Sequence, residues 1–494
     1  MGGRRTTSAW LRANTPRPLS IDLVLDQSDE FRRLPFILQF PSLRSTIQGR
    51  SSPRRNANQL ARCRFGAKMR LTALICNRYR AFKERQRIEL APITLIIGKN
   101  GSGKSVISRL PLLLANAISE QAEGPLDLAA GGVEHAAAFQ DLVNSRGALP
   151  FTLGAEIADE HRSYSFETTL RYVNETRSLA IESFLLKAGT DTLFSAEISD
   201  VEELTKDSPV FDTQFEAKEK QKTRLSFAGL FPRLDGLGDP ASGEIAAVLA
   251  SFRQALPTPS YLGPFRAEPS PSMRTPNQNI RELGPRGERA LDILADDRLR
   301  RGGELSRKVS EWFGTAMGQQ IEVDITGDQP QVRVADEASG LQVSLADTGA
   351  GFSQSIPVVV QHFAYRAGRI KSPVLIVEQP ELHLHPAAHG ALADLVVQSA
   401  TGTDWTPATC LVETHSEQFI MRVRRRIAEG VPPEQVKLWS LNHHDEQGDE
   451  TPPQPLRVIS FDSRGNPDAW PIGVFEEALS DLTAMRRGAR GRGL

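Results

Sequence analysis

The sequence of 494 residues contains few cysteines, no long apolar run and almost no net charge. Its three cysteines, Cys63, Cys76 and Cys410, have no metal-ligand spacing and leave an odd thiol. This excludes a disulfide framework and favours a reducing compartment, so we expect a cytoplasmic protein. No run approaches ~18 consecutive apolar residues, and no membrane span is therefore predicted. The formal net charge of −1 indicates neither a nucleic acid nor an anionic membrane as a partner.

The composition is that of a chain able to bury a core. Hydrophobic residues account for 39% and charged residues for 24%, which excludes fully disordered and collagen-like classes. At roughly 100–200 residues per domain, the length allows about two to four domains.

Residues 1–68 are rich in Arg, Ser and Pro, and their apolar residues lack the repeating period expected of a folded domain. They hold twelve Arg and one Lys against three Asp and one Glu, an excess of nine positive charges, so the remainder carries −10. Three interpretations compete: a basic arm for nucleic acid, a transit peptide, or an extension before a functional start at Met69. We favour the last, because a strand pattern begins directly after Met69. An acidic cluster at 22–30 argues against a transit peptide.

Hydrophobic periodicity predicts the order of elements after Met69. We predict strands at 71–76, 88–90 and 93–97, then a helix to about residue 119. Residues 150–200 alternate apolar and polar side chains, which predicts an antiparallel meander. The remaining predictions are surface loops with a short helix at 201–240, helices at 285–320, strands at 321–346 and an α/β region from 373 to about 442.

Residues 98–105 match the P-loop pattern, a glycine, four residues and then Gly-Lys-Ser, between a predicted strand and a predicted helix. Its glycines let backbone N–H groups turn toward phosphate oxygens, and the helix N-terminus adds its positive dipole end. Lys104 should reach the β- and γ-phosphates, and Ser105 should coordinate Mg²⁺. The residues expected to bind the nucleotide are Gly98, Lys99, Asn100, Gly101, Ser102, Gly103, Lys104 and Ser105.

A second apolar run, at 374–377, is typical of a strand buried on both faces. It ends in Glu378, followed by Gln379, Pro380 and Glu381. A carboxylate at the C-terminal end of a strand beside a P-loop is placed to hold Mg²⁺ or its water shell, and we expect Glu378 to do so. The alternative is a buried strand with a chance acidic end.

The segments 98–105 and 374–386 together resemble the ABC-type ATPases of the RecF, SMC and OLD kind, often labelled AAA-family ATPases. The resemblance implies Walker A and Walker B motifs that bind ATP and Mg²⁺. In that group an Asp holds the metal and the following Glu acts as base, whereas Glu378 and Gln379 stand here. An amide cannot accept a proton from water at pH 7. The resemblance therefore implies slow hydrolysis, or hydrolysis that uses Glu381 or another acceptor.

Further segments are similar to one prokaryotic branch of this group. They are residues 261–266, 284–288, 378–386 and 413–417, and a tail at 470–475 that has Val in place of one Phe. The resemblance covers about residues 69–480.

The resemblance also implies a composite site, in which one protomer supplies the P-loop and its partner a signature segment. Residues 347–354 stand where the signature is expected, before an apolar helix, and Ser353 would meet the γ-phosphate of the partner's nucleotide. His415 resembles the switch histidine that senses this phosphate. The alternatives are a helix N-cap turn for 347–354 and an ordinary strand-end histidine for His415.

We therefore expect an α/β fold, an ABC-type P-loop ATPase head. It would contain a mixed sheet flanked by helices, an antiparallel β subdomain, and a helical and β insert between Walker A and the signature. The expected segments are a basic extension at 1–68, an N-terminal ATPase lobe at 69–150, a β-rich insert at 151–260, a helical and strand region at 261–345, a C-terminal ATPase lobe at 346–445 and a tail at 446–494.

The expected function is an ATP-gated homodimeric switch in DNA maintenance or phage defence, with a separately encoded nuclease or toxin as effector and DNA as a possible ligand. A regulatory ATPase without DNA contact is the main alternative. The insert of roughly 240 residues before the signature argues against a transporter subunit. A self-contained nuclease is disfavoured because the roughly 50 residues after Asn442 contain no acidic cluster for a two-metal site.

Overall fold

The computed structural model describes residues 69–146, 149–206, 208–216, 218–234, 242–269, 280–326, 329–336, 339–443 and 454–470. All of them belong to one structural unit. The predictions for residues 1–68 and for the tail beyond Trp470 lie outside these residues.

The strands in chain order are β1 (Arg70–Asn77), β2 (Gln86–Glu89), β3 (Ile93–Gly98), β4 (Phe151–Ala158), β5 (Ser163–Val173), β6 (Ser178–Ala188), β7 (Asp191–Ile198), β8 (Val210–Phe215), β9 (Gln221–Arg224), β10 (Phe227–Ala228), β11 (Phe231–Pro232), β12 (Ser260–Leu262), β13 (Gln319–Thr326), β14 (Gln329–Asp336), β15 (Gln342–Ser344), β16 (Val374–Glu378), β17 (Thr409–Glu413), β18 (Val436–His443) and β19 (Gln454–Ile459). The helices are α1 (Lys104–Ala117), α2 (Ser242–Ala255), α3 (Ala290–Arg300), α4 (Glu304–Met317), α5 (Ala350–Arg366), α6 (Pro386–Thr401) and α7 (Glu417–Ala428). None of these described helices is both long and apolar enough to cross a membrane.

Six strands form a mixed sheet in the order β12-β16-β17-β3-β18-β19. All neighbours are parallel except β18 and β19, which are antiparallel. Every residue of β3 and β16 is buried, as expected for strands covered on both faces. Because β3, β16 and β17 are parallel, their C-terminal ends meet at one edge of the sheet, although β16 begins 276 positions after the end of β3.

Helices cover this sheet on both faces. Alternate residues of each strand point to opposite faces, and they join two different hydrophobic cores. Ile96, Ile376 and Leu411 pack in the core that contains α1 and the antiparallel sheet, whereas Leu95 and Val377 pack in the core that contains α3 to α7. Burial on both sides holds the C-terminal strand ends in fixed relative positions.

A second sheet is antiparallel, with eight strands in the order β2-β1-β4-β5-β6-β7-β8-β9. It contains the predicted meander over 150–200. The prediction of surface loops with a short helix for 201–240 is wrong where β8 and β9 form. In β8, every second residue is buried, namely Phe211, Thr213 and Phe215. This alternation extends over only six residues, within a charged stretch that contains glycine and proline, and it is therefore a weak indication of a strand. The strands predicted over 321–346 are β13 to β15, a separate antiparallel sheet.

Candidate functional site

The P-loop connects β3 to α1 at the C-terminal edge of the mixed sheet. Gly103 is the N-cap of α1 and has φ 99°, a left-handed conformation that L-residues with side chains rarely adopt. A Cβ atom at Gly103 would also lie 2.7 Å from the Cβ of Ala81. The loop therefore needs glycine here both for its backbone conformation and for its contact with the turn after β1.

The Lys104 side chain folds back over the P-loop. Its Nζ donates hydrogen bonds to the carbonyl oxygens of Gly98 at 2.9 Å and Lys99 at 3.0 Å. Burial lowers the pKa of Lys104, while the nearby carboxylates of Glu413 and Glu378 act in the opposite direction. The ammonium group is thus held at the mouth of the loop, where an anion would be attracted to it.

A cavity of about 800 Å³ opens beside the P-loop. Its lining includes Lys104, Ser105, Gln379 and Glu413, together with Phe265, a residue that is 74% exposed. Arg80, Asp141 and Arg146 complete its charged lining. Cationic residues, P-loop glycines and Ser105 thus line one cavity.

The predicted metal ligand Glu378 is buried behind this cavity. Its carboxylate accepts two hydrogen bonds from the Arg109 guanidinium, both 2.8 Å, and one from the Ser108 hydroxyl at 2.8 Å. The Glu378 side chain is 1% exposed and is not among the residues that line the cavity. The acidic strand end is where the sequence predicts it, but its oxygens are bound to α1.

Glu413 is a second carboxylate at the same edge, and sequence reasoning assigned it no role. It ends β17 and is the register partner of Glu378. Its Oε2 accepts a hydrogen bond of 2.9 Å from the Oγ of Ser105. Burial, followed by the proximity of Glu378, raises the pKa of Glu413 to about 7. The signal for it was present in the sequence, since Glu413 follows an apolar strand just as Glu378 does.

Gln379 and Glu381 lie in the turn after β16. Gln379 has φ 47° and donates its backbone N–H to the carbonyl of Glu413 at 2.7 Å, and its half-buried side chain lines the cavity. Glu381 accepts a 2.6 Å hydrogen bond from the backbone N–H of His415. Burial raises the pKa of Glu381. The cavity thus contains the amide of Gln379, whereas Glu381 is tied to the turn after β17.

Arg266 is hydrogen-bonded to the backbone of the same turn. Its guanidinium, 2% exposed, donates to the backbone carbonyls of Glu378 at 2.7 Å and Gln379 at 2.9 Å. Burial lowers the pKa of Arg266 to about 10. The sequence alone leaves three alternatives open for Arg266, namely a phosphate contact, an interface contact or a place on the surface. The observed contacts instead make it a buried residue that positions the turn.

Several non-glycine residues around the cavity have positive φ angles. Arg80, Ser145 and Arg146 are among them, in addition to Gln379, and all four line the cavity. Such conformations cost of order 1–3 kcal/mol each and cluster at functional sites. They support the assignment of this cavity as the functional site.

Ser353 and His415 are not among the residues that line this cavity. Ser353 is half-buried in the first turn of α5, and its hydroxyl donates to the Ala350 carbonyl at 2.9 Å. Gly351 brings this helix end close to the turn after β16, since a Cβ there would lie 3.0 Å from the His383 carbonyl oxygen. His415 is exposed as a whole residue. Partial desolvation of its imidazole, followed by the nearby charge of Lys104, nevertheless lowers its pKa.

The side chains present fit Mg²⁺ only together with a phosphate ligand. Among the described residues, no group of three or more His, Cys, Asp or Glu side chains could hold a metal ion. Mg²⁺ is commonly bound by one or two carboxylates and substrate phosphates, with water completing its shell. The Ser105 hydroxyl and an adjacent carboxylate match that kind of site.

No protein-family model and no curated protein matches the chain. Its structural neighbours include SMC head domains. One is an SMC head bound to the C-winged helix domain of ScpA, with a TM-score of 0.42 and 12% identity, covering 79% of this chain and 97% of that one. Another, from Pyrococcus furiosus, has an extended coiled coil and is bound to the C-terminal domain of ScpA (TM-score 0.41, 12% identity, 85% of this chain and 100% of that one). The Thermotoga maritima SMC head domain has a TM-score of 0.36 at 9% identity, covering 80% of this chain and 99% of that one.

Proposed function

We propose that this protein is an ATPase that binds ATP together with Mg²⁺ in the cavity beside the P-loop. One observation carries the proposal: Lys104, Ser105 and a strand-end carboxylate line a single cavity, at the edge where the parallel strands of the mixed sheet have their C-terminal ends. Ligands of α/β proteins bind at this edge, and a helix N-terminus there favours phosphate. Lys104 would neutralise the β- and γ-phosphates and the P-loop N–H groups would hold their oxygens.

Hydrolysis is proposed to be slow. Attack by water needs a group that accepts its proton, and a carboxylate at the position of Gln379 would be suited to that task. The Gln379 amide can orient a water molecule but cannot take its proton at neutral pH. Ser105 would supply a hydroxyl to Mg²⁺, and Glu378 or Glu413 a carboxylate.

We further propose that ATP closes two copies of the chain around two nucleotides. Ser353 is half-buried at the start of α5 and lies outside its own cavity, as expected of a residue that completes a partner's site. The turn between β16 and α6 is also accessible to a second copy, because His383 and His385 are exposed. His415 would sense the γ-phosphate from the turn after β17.

The biological role that we propose is an ATP-gated switch in DNA maintenance or phage defence, acting with a separately encoded nuclease or toxin. A regulatory ATPase without DNA contact is the alternative. The two differ in one measurable property, namely whether DNA changes turnover or the dimer equilibrium.

The test combines fluorescent-nucleotide binding, phosphate release and light scattering, with and without DNA. Wild-type protein should bind ATP, hydrolyse it slowly and dimerise with it. Lys104→Ala should abolish binding, because the phosphates lose their cation, whereas Lys99→Ala should retain it, because Lys99 contributes to the loop through its backbone carbonyl. Equal binding by the Lys104→Ala protein would refute the proposal, and a nucleotide-loaded protein that stays monomeric would refute the switch.

A further inference from the structure

The two strand-end carboxylates differ in what they can reach. Glu378 and Glu413 are direct register partners on β16 and β17. Since β17 lies between β16 and the P-loop strand β3, Glu413 is one strand closer to the P-loop. Of the two, only Glu413 lines the cavity.

Glu378 is already committed to an ion pair. Arg109 binds both of its carboxylate oxygens, and the Ser108 hydroxyl binds one of them again. With 1% exposure of its side chain, Glu378 could reach a cation in the cavity only by giving up these contacts. That would leave the Arg109 guanidinium without its partner.

Among the described residues, the hydrogen bonds to the Glu413 carboxylate come from two hydroxyl groups. Its Oε2 is 2.9 Å from the Oγ of Ser105 and 3.5 Å from the Oγ of Ser108. Two adjacent ligands of an octahedral Mg²⁺ at 2.0–2.1 Å lie about 3 Å apart. The Ser105 and Glu413 oxygens are compatible with that spacing, which is also an ordinary hydrogen-bond length, so the choice of Glu413 rests on its place in the cavity lining.

We propose that Glu413, and not Glu378, supplies the protein carboxylate to the divalent cation that accompanies the nucleotide. Glu378 forms a structural ion pair that fastens α1 to β16. This assignment rests on the proposed function, because the cation is retained only together with nucleotide phosphates. It reassigns a role that the sequence pattern gives to Glu378.

The test measures Mn²⁺ by electron paramagnetic resonance during titration of the full-length protein with a non-hydrolysable ATP analogue. Glu413→Gln should weaken Mn²⁺ binding at least tenfold. Binding of a fluorescent ATP analogue in EDTA should change less than threefold, because Lys104 and the P-loop are intact. The double variant Glu378→Gln/Arg109→Gln removes both charges of the ion pair together and should change Mn²⁺ affinity less than threefold.

Glu182→Gln is the matched control, because Glu182 is paired with Arg171 on the antiparallel sheet. It should leave Mn²⁺ binding unchanged. If Glu413→Gln does not fold, Glu413→Asp keeps the charge but shortens the side chain, and it should still weaken Mn²⁺ binding.

Unchanged Mn²⁺ affinity in the Glu413 variants, or its loss in the double variant, would overturn the assignment while leaving ATP binding in place. Failure of the wild type to bind the analogue in EDTA and with Mn²⁺ would instead overturn the proposed function, and this assignment with it.

Discussion

Replacing Gln379 by Glu tests whether the missing carboxylate limits ATP hydrolysis. The side chain at this position lines the cavity next to Glu413, and the backbone is fixed by its hydrogen bond to the Glu413 carbonyl. Gln379→Glu adds one proton acceptor with almost no change of volume. The expected result is faster cleavage of bound ATP without tighter binding.

The magnitude follows from what a general base contributes. A positioned base accelerates proton transfer by about 10²–10⁴-fold. We expect a gain at the lower end of this range, about 10²-fold, which corresponds to an activation barrier lower by about 3 kcal/mol. The reason is that the turn positions an amide and not a carboxylate. Neighbouring carboxylates raise the pKa of an added acid, so the gain should increase as the pH rises and the new carboxylate loses its proton.

Single-turnover hydrolysis with protein in excess is the appropriate assay, because it separates chemistry from product release. Gln379→Ala is the control, since it removes the amide without adding an acceptor, and it should give no gain. Two results would refute the reasoning: a wild type that already hydrolyses ATP rapidly and is unchanged by Gln379→Glu, or an equal gain in Gln379→Ala.

Three further predictions concern the Arg109 ion pair, the Arg266 contacts and the proposed dimer. Arg109→Ala should lower the free energy of unfolding by about 1–3 kcal/mol in urea titrations, less than for a fully buried pair because Arg109 is 29% exposed. Arg171→Ala, which breaks a bidentate pair with both side chains about a quarter exposed, should cost less than about 1 kcal/mol, and an equal loss in both would contradict this. Arg266→Lys should destabilise by about 1–3 kcal/mol in the same titrations, since one ammonium cannot reproduce the planar contacts to two carbonyls, and an unchanged midpoint would contradict it. Ser353→Arg should prevent the ATP-dependent dimer in light scattering while preserving nucleotide binding by the single chain, and persistent dimerisation would count against the composite site.

Local pattern was sufficient to predict the part of the fold that carries the site. The P-loop and the buried strand before Glu378 were recognisable because glycine spacing and apolar runs are properties of a few adjacent residues. The antiparallel strands over 150–200 and the helices over 285–320 were predicted on the same grounds. The short strand β8 was missed, because its six residues lie in a charged stretch.

Pairings across the chain were not predictable in this way. Arg109 and Glu378 are 269 positions apart, and Ser105 and Glu413 are 308 apart. Their contacts depend on the strand order, which places β17 between β16 and β3. Arg266 likewise has no local pattern that distinguishes a buried support from a surface arginine.

Energetics explain why the two carboxylates should have different roles. The Glu378 carboxylate accepts three hydrogen bonds from side chains, one from Ser108 and two from Arg109. Hydrogen bonds to charged groups contribute about 1.5–3 kcal/mol each, so withdrawal of Glu378 would be costly. Glu413 would give up a 3.5 Å contact with the Ser108 hydroxyl and its hydrogen bond from Ser105, a side chain that is itself expected to bind the cation. A divalent cation entering beside Ser105 should therefore recruit Glu413 and leave the Arg109 ion pair intact.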